Sequence, residues 1–271
     1  MAARALCIGI NQYPGTGSDL HGCVNDANDW AAELRRRGFD VATLLDNFAT
    51  GAAIRRRIRA LVSGAKSGDT VVVQFSGHGS FVPDRDGDEP DGTDECICPC
   101  DTRRGYITDD ELFGMFAARK SGVHAVMISD SCHSGTIARF APRATPPPIE
   151  SGAGLRNVRF LPPASFLDGA NLGALGPSRT LRRTSAPGRR AALTLTGCQD
   201  AEFSYDAVFG GRPNGAFTYV ALEALKSLST RATYRQWYEA IRQQLPSSEY
   251  PQTPNLWGPR SLKDRAIFSG G

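Results

Sequence analysis

Five short apolar runs punctuate the chain: Ala5–Ile10, Val41–Leu45, Thr70–Phe75, Val123–Ile128 and Ala191–Thr196. Each is rich in Val, Ile or Leu and is bounded by Gly, Asp or Ser. Continuous apolarity over so few residues suits strands covered on both faces, as in a parallel sheet. Between the runs the apolar positions change to helical spacing. Val24–Arg37 sets Ala27, Trp30, Ala31 and Leu34 on one face, with Arg35–Arg37 at the end that favours positive charge. Ala52–Ala65 repeats the arrangement with Ile54, Ile58, Leu61 and Val62. Thr108 followed by Glu111 is a capping-box pair and predicts a helix through about Lys120. Two more helices are predicted near Phe217–Leu228 and Tyr234–Leu245. This alternation predicts an α/β fold, with a mostly parallel central sheet and helices on both faces. Ligands of such sheets bind beyond the carboxyl ends of the strands.

One stretch breaks the alternation. Residues 141–190 hold eight of the 17 Pro, six Gly, and eight Arg against only Glu150 and Asp168. That is a local charge of +6, leaving −3 for the remainder. The stretch reads as a flexible insertion or inter-subdomain loop within a single domain spanning residues 1–271. Composition is otherwise ordinary, with 41% hydrophobic and 22% charged residues, which excludes a disordered chain, a collagen-like fibre and a coiled coil. No apolar run approaches the roughly 18–20 residues of a membrane span. Met1–Asn11 lacks a signal-peptide layout and reads as the first strand. The net charge of +3 gives no argument for nucleic acid, and Arg35–Arg37 and Arg55–Arg57 read as solvated helix ends. Seven Cys, an odd number without an export signal, favour a reducing cytoplasm over a disulfide framework. The Cys96-Ile-Cys-Pro-Cys100 spacing is unlike paired zinc ligands, so these thiols are expected to be buried and structural.

Two strand ends carry candidate chemistry. Thr70–Phe75 runs into Ser76-Gly-His-Gly-Ser80, and Val123–Ile128 runs into Ser129-Asp-Ser-Cys-His-Ser-Gly135. A thiolate attacks carbonyl carbon and an imidazole manages the protons, so Cys132 and His78 read as nucleophile and general acid/base. Glycine on both sides of His78 lets backbone approach a ligand closely.

The blocks Phe75-Ser-Gly-His-Gly-Ser80 and Asp130-Ser-Cys-His-Ser-Gly135 resemble the two signature blocks of metacaspases, in the caspase–haemoglobinase group of cysteine peptidases. Their separation agrees: His78 and Cys132 are 54 residues apart, and in caspases the His lies about 50 residues upstream of the Cys. Gly22-Cys-Val-Asn-Asp26 and Gly215-Ala-Phe-Thr218 resemble two further blocks, so the likeness spans most of residues 1–230. It implies a caspase-haemoglobinase-like three-layer sandwich, and a bare catalytic core as in some prokaryotic members. It also implies the roles: Cys132 as nucleophile, His78 as acid/base, and the N–H groups of Gly79 and Cys132 as the oxyanion hole. His133 is expected to point away. Asp26 and Asp130 match positions lining an acidic S1 pocket, with Ser76 beside them.

An anionic pocket binds a cationic P1 side chain, so cleavage after Arg or Lys in protein or peptide substrates is expected. Arg179, Arg182, Arg183, Arg189 and Arg190 then become candidate self-cleavage sites. Seven acids fall within Asp84–Glu95, yet Glu89 and Pro90 are wrong for an EF-hand. The resemblance instead implies Ca²⁺ ligands at Asp94, Asp109 and Asp110, with a further acid after the nucleophile where this chain has Arg139. Either calcium binds more weakly or Arg139 replaces it. No organic cofactor is expected, nor a membrane or nucleic-acid partner, and a monomer is expected. The rival readings are a catalytically silent interaction module, which would lack the Cys–His pair, and an Asp-directed protease, which would need basic pocket residues.

Overall fold

The computed structural model describes residues 1–87, 89, 92–132, 149–151, 154–175, 191–199 and 202–269, with backbone alone for 149–151 and 154–156. Its centre is a sheet of six strands: β1 (Ala3–Gly9), β2 (Asp40–Leu45), β3 (Thr70–Ser76), β7 (His124–Asp130), β10 (Leu193–Thr196) and β13 (Asn255–Trp257). They run in the order β13-β10-β7-β3-β1-β2. All pairs are parallel except β10 with β13. The five sequence-predicted runs are the five parallel strands.

Alternating side chains of each strand feed two cores. Ala5, Cys7, Val72, Val126 and Ile128 face one side. There they meet helices α1 (Cys23–Arg36), α5 (Ala216–Ser227) and α6 (Tyr234–Arg242). Trp30 packs edge-on to Trp237, with ring centroids 5.8 Å apart. Leu6, Ile8, Val71, Val73 and Phe75 face the other side, against α2 (Gly51–Ser63) and α3 (Asp109–Ala117). Three layers follow directly from period-two strands covered by amphipathic helices.

Helix starts show how far each is locally encoded. Thr50 and Thr108 accept the N3 N–H of α2 and α3, and Thr233 with Gln236 closes a full capping box on α6. At α3 the reciprocal half is missing. The Glu111 carboxylate instead grips Arg55 at 2.6 and 2.8 Å. Arg55 is therefore an interhelical partner, not a solvated helix end. Helix α1 has no side-chain cap from its own Gly22. Asn11 accepts the N–H groups of Cys23 and Val24, and Asp206 those of His21 and Gly22. Distant residues thus fix this terminus.

Two small sheets flank the carboxyl edge. One joins β4 (Gly79–Pro83), β5 (Thr93–Ile97) and β6 (Ile107–Thr108). The other joins β8 (Ile149–Ser151), β9 (Gly154–Val158), β11 (Tyr205–Phe209) and β12 (Arg212–Gly215). The stretch read as a flexible insertion therefore holds β8 and β9, then a turn at Pro163–Ser165 and helix α4 (Gly169–Ala174). Within it β9 finds a pairing edge in β11, and Phe160 and Leu161 are buried. Among the described residues no helix is long and apolar enough to cross a membrane.

Candidate active site

Strand register sets the site. Gly9, Ser76 and Asp130 lie abreast at the carboxyl ends of β1, β3 and β7. Two residues further on, the chain delivers His78 from one strand and Cys132 from the next. Gly77 makes the first turn possible, because a Cβ there would lie 2.8 Å from the Phe75 ring.

His78 is held on every side. Its N–H donates to the Tyr13 hydroxyl at 2.7 Å and its carbonyl accepts from Cys98 N–H at 2.9 Å. The rings of Tyr13 and His78 lie 4.6 Å apart. Ring atom Nε2 is 2.6 Å from the Ser18 carbonyl. A carbonyl only accepts, so Nε2 carries the proton of the neutral imidazole and Nδ1 keeps the lone pair. Nδ1 is buried without a partner. Burial, opposed by the bond to Ser18, pulls the imidazole pKa down to about 4. A backbone carbonyl thus orients the imidazole, a contact with no side-chain signature in the sequence.

Cys132 is fully buried. Its Sγ donates to the Ser204 carbonyl at 3.4 Å and accepts the Ser204 N–H. It also shares a hydrogen bond with Cys198, which together with burial pushes the Cys198 thiol well above its ordinary value. Neither ring nitrogen of His78 is bonded to the Cys132 thiol. Cys96, Cys98 and Cys100 are buried and none of them forms a disulfide.

Between these residues lies a group that the sequence did not single out. Arg159, fully buried, places its guanidinium among three carboxylates: Asp26 at 2.7 Å, Asp206 at 3.0 Å and Asp130 at 3.2 Å. Burial works against its charge, and Asp130, Asp26 and Asp206 overcome that and keep it protonated. Its carbonyl accepts from Gly79 N–H at 3.0 Å and from Cys132 N–H at 3.2 Å. The two N–H groups expected to serve an oxyanion therefore converge on one oxygen.

The carboxylates are themselves anchored. Asp26 accepts from Asn214 at 2.9 Å and from Gly215 N–H at 3.0 Å. Burial pushes its carboxyl up to about 7, against the pull of Arg159. Asp130 accepts from the N–H and hydroxyl of Thr218 at 2.9 and 2.7 Å, and from the Ser204 hydroxyl. Gly215 is required here, since a Cβ would sit 2.7 Å from the Arg159 Cζ. The Gly215-Ala-Phe-Thr218 block is thus the rear wall of the acidic pocket. Ser76 is buried beside Asp130 in register, with its hydroxyl accepting from Gln74 at 2.8 Å. Asp206, Asn214 and Ser204 went unrecognised in the sequence because they lack a local motif. Asp206 sits on a strand that no apolar run announces.

Ligand atoms of Asp84, Asp86 and Asp94 lie within 4.8 Å of one another. Burial, with Asp84, Asp109, Asp110 and Asp86 nearby, raises the Asp94 carboxyl to about 7. Asp94 Oδ1 is buried without a hydrogen-bond partner. Asp109 and Asp110 open α3 and act on Asp94 through charge. His133, Arg139, and the candidate cleavage residues Arg179, Arg182, Arg183, Arg189 and Arg190 lie outside the described residues.

A model of the caspase domain family matches residues 2–264. Metacaspase-1 of Cryptococcus neoformans is 32% identical over 98% of this chain and 64% of its own length. Metacaspase-1B of Aspergillus fumigatus is 33% identical over 98% of this chain and 71% of its own length. The chain thus spans less than two thirds of the first of these relatives. A crystal structure of a protein from Geobacter sulfurreducens superposes with a TM-score of 0.73 at 29% identity, covering 100% of this chain and 99% of that one. Caspase-1 of Spodoptera frugiperda shares the fold, with a TM-score of 0.58 at 15% identity over 100% of this chain and 92% of its own. Matched over nearly its whole length by the family model, and about a third identical to metacaspases, this chain belongs to the caspase-domain family of cysteine peptidases.

Proposed function

We propose that this chain is a cysteine endopeptidase that cuts after Arg or Lys, using Cys132 as nucleophile and His78 as general acid/base. One observation carries the reading. A buried arginine has its guanidinium among Asp26, Asp130 and Asp206 while its carbonyl rests on the N–H groups of Gly79 and Cys132. A P1 Arg bound for attack needs both features at once. Three carboxylates in the pocket count against an Asp-directed protease, which requires a basic one.

In the proposed reaction the Cys132 thiol gives its proton to His78 Nδ1 and its sulfur attacks the P1 carbonyl carbon. The oxyanion is held by the two N–H groups. His78 protonates the leaving amine, and a thioester remains. His78 Nδ1, carrying the lone pair again, then takes a proton from water as it attacks the thioester, and returns it to the departing Cys132 sulfur. The Ser18 carbonyl holds the Nε2 proton in place while Nδ1 exchanges protons.

Calcium dependence belongs to the same proposal. Hard oxygen donors suit Ca²⁺, and the unpartnered Asp94 Oδ1, raised by its acidic neighbours, fits a site that a cation neutralises. Asp84, Asp86 and Asp94 would hold it, and Asp109 and Asp110 would add negative field.

The test is turnover of fluorogenic peptides with Arg, Lys or Asp at P1, with calcium and with chelator, beside Cys132→Ala. The expected result is hydrolysis after Arg and Lys alone, stimulated by calcium and abolished in the variant. Hydrolysis after Asp would overturn the pocket assignment. No turnover of any peptide would favour the catalytically silent module.

A further inference from the structure

Phe160, the residue after the pocketed arginine, has a built place of its own. Arg159 has its side chain among the three carboxylates and its carbonyl on the Gly79 and Cys132 N–H groups. Counted from that carbonyl, Phe160 stands where the residue beyond a scissile bond, P1′, would stand. We infer that Phe81 and Phe203, the rings around Phe160, form an aromatic S1′ subsite, so that the peptidase prefers substrates with an aromatic residue directly after the basic one. The inference rests on the proposed peptidase activity and adds a second specificity position to it.

The main chain fixes the register on both sides. On the amino side, Arg159 N–H donates to the Ser204 carbonyl at 2.9 Å. Val158 and Asn157 pair antiparallel with Tyr205 and Asp206. On the carboxyl side, Leu161 N–H donates to the Gly79 carbonyl at 3.0 Å, and the Ser80 hydroxyl donates to the Leu161 carbonyl at 2.6 Å. Gly79 thus binds the residue before Phe160 through its N–H and the residue after it through its carbonyl. A peptide held by Gly79 in this way has its P1′ side chain aimed at one place. There the Phe160 ring stacks on Phe81, with centroids 6.0 Å apart and planes 25° from parallel, and meets Phe203 at 6.3 Å. Phe81 lies on β4, three residues after His78, and Phe203 immediately precedes Ser204, which bonds both Cys132 and Arg159. The two walls therefore stand on the segments that carry the reacting groups.

The walls select the side chain by its chemistry. Offset and tilted ring pairs with centroids about 4.5–7 Å apart are favourable beyond the area they bury. Leucine would fill part of the space without those ring contacts, and alanine would leave most of it empty. A carboxylate would lose its hydration against two rings. It would also meet the charge of Glu95, which lies directly opposite Phe81 in the β4–β5 pair and so shares its face. A ring cluster kept only to fill the core would have no reason to flank a bond whose carbonyl lies on those two N–H groups. An incoming peptide exchanges with residues 157–161 contact for contact, because every main-chain group it needs is one that this segment uses.

The experiment uses internally quenched peptides with Arg at P1 that differ only at P1′, where they carry Phe, Leu, Ala or Asp. Values of kcat/KM are measured with calcium present for the wild type, Phe81→Ala and Phe203→Ala, and mass spectrometry locates the cut. Preference is read as the ratio of Phe to Ala peptide within one sample, which does not depend on how much of a variant is folded. The wild type should favour Phe over Ala by at least about tenfold, with Leu between them and Asp last. In each variant the ratio should fall toward one. Wild type that cuts after Arg with equal kcat/KM for all four peptides overturns this inference and leaves the proposed function standing. A preference for Phe that survives unchanged in both variants overturns the assignment of Phe81 and Phe203. No turnover of any peptide by the wild type removes both readings.

Discussion

Replacing Arg159 with Ala removes the cation that three buried carboxylates share. Its guanidinium nitrogens lie 2.7 Å from Asp26, 3.0 Å from Asp206 and 3.2 Å from Asp130, and the arginine itself is fully buried. At an effective dielectric of about 20, each contact has a gross Coulomb energy of about 5 kcal/mol. Most of that offsets desolvation of the four charges and repulsion among the acids. The loss on truncation is set by what remains behind: unpaired carboxylates that can neither hydrate nor leave. Breaking a buried ion pair from one side typically costs about 3–5 kcal/mol. The assay is urea unfolding at neutral pH. With a slope of about 3 kcal/mol per molar, the midpoint should fall by about 1–1.7 M. The sign with pH is also fixed. Freed carboxyls take up protons in the folded state as pH falls, so the deficit relative to wild type should shrink on acidification. Agmatine, an arginine side chain without its peptide links, should bind the emptied pocket and restore part of the midpoint. A loss below about 1 kcal/mol, or a deficit that grows at low pH, would refute the reading of this cluster as a charge-matched pocket.

Other outcomes follow from single contacts. Tyr13→Phe removes the hydroxyl that accepts the His78 N–H and donates to the Cys98 carbonyl. It should lower stability by about 1–3 kcal/mol in urea unfolding, with a fall in kcat larger than any change in KM. Gly215→Ala drives a methyl against the Arg159 guanidinium, and a loss of about 1–3 kcal/mol is expected from the same measurement. His78→Ala should reduce peptide turnover by at least about 10²-fold, read as kcat/KM against wild type. Burial holds His78 near 4 against an unfolded value of 6.5, so the folded chain binds fewer protons between those values. That contribution to stability is complete above pH 6.5 and is lost as pH falls toward 4, at about 1.4 kcal/mol per unit. His78→Gln should flatten the slope of the urea midpoint across this window.

The parallel strands were legible because their cores are local in sequence: short apolar runs, each closed by Gly, Asp or Ser, map onto β1, β2, β3, β7 and β10. Residues His78, Cys132, Asp26 and Asp130 stand out in the sequence because the first two follow strand ends and all four fall in recognisable blocks. What escaped was set by distant pairing. Arg159 belongs to a stretch whose Pro, Gly and Arg content reads as a linker, and only the edge of β11 and three remote acids give it a buried place. Asp206 reads as an ordinary acid until it meets the amino terminus of α1 and the Arg159 guanidinium. The Ser18 carbonyl that orients His78 is backbone, so no residue type could announce it. The half-formed capping box at α3 is a smaller case, because Glu111 finds Arg55 across the helix interface instead of its own N-cap.

The most direct test of the account is covalent trapping. Wild type is treated with peptidyl chloromethyl ketones ending in Arg or in Asp, and the modified residue is located by peptide mapping. The account expects one equivalent of the Arg reagent on Cys132, slowed by agmatine, with the Asp reagent inert. Labelling of a different thiol, or equal labelling by both reagents, would contradict it.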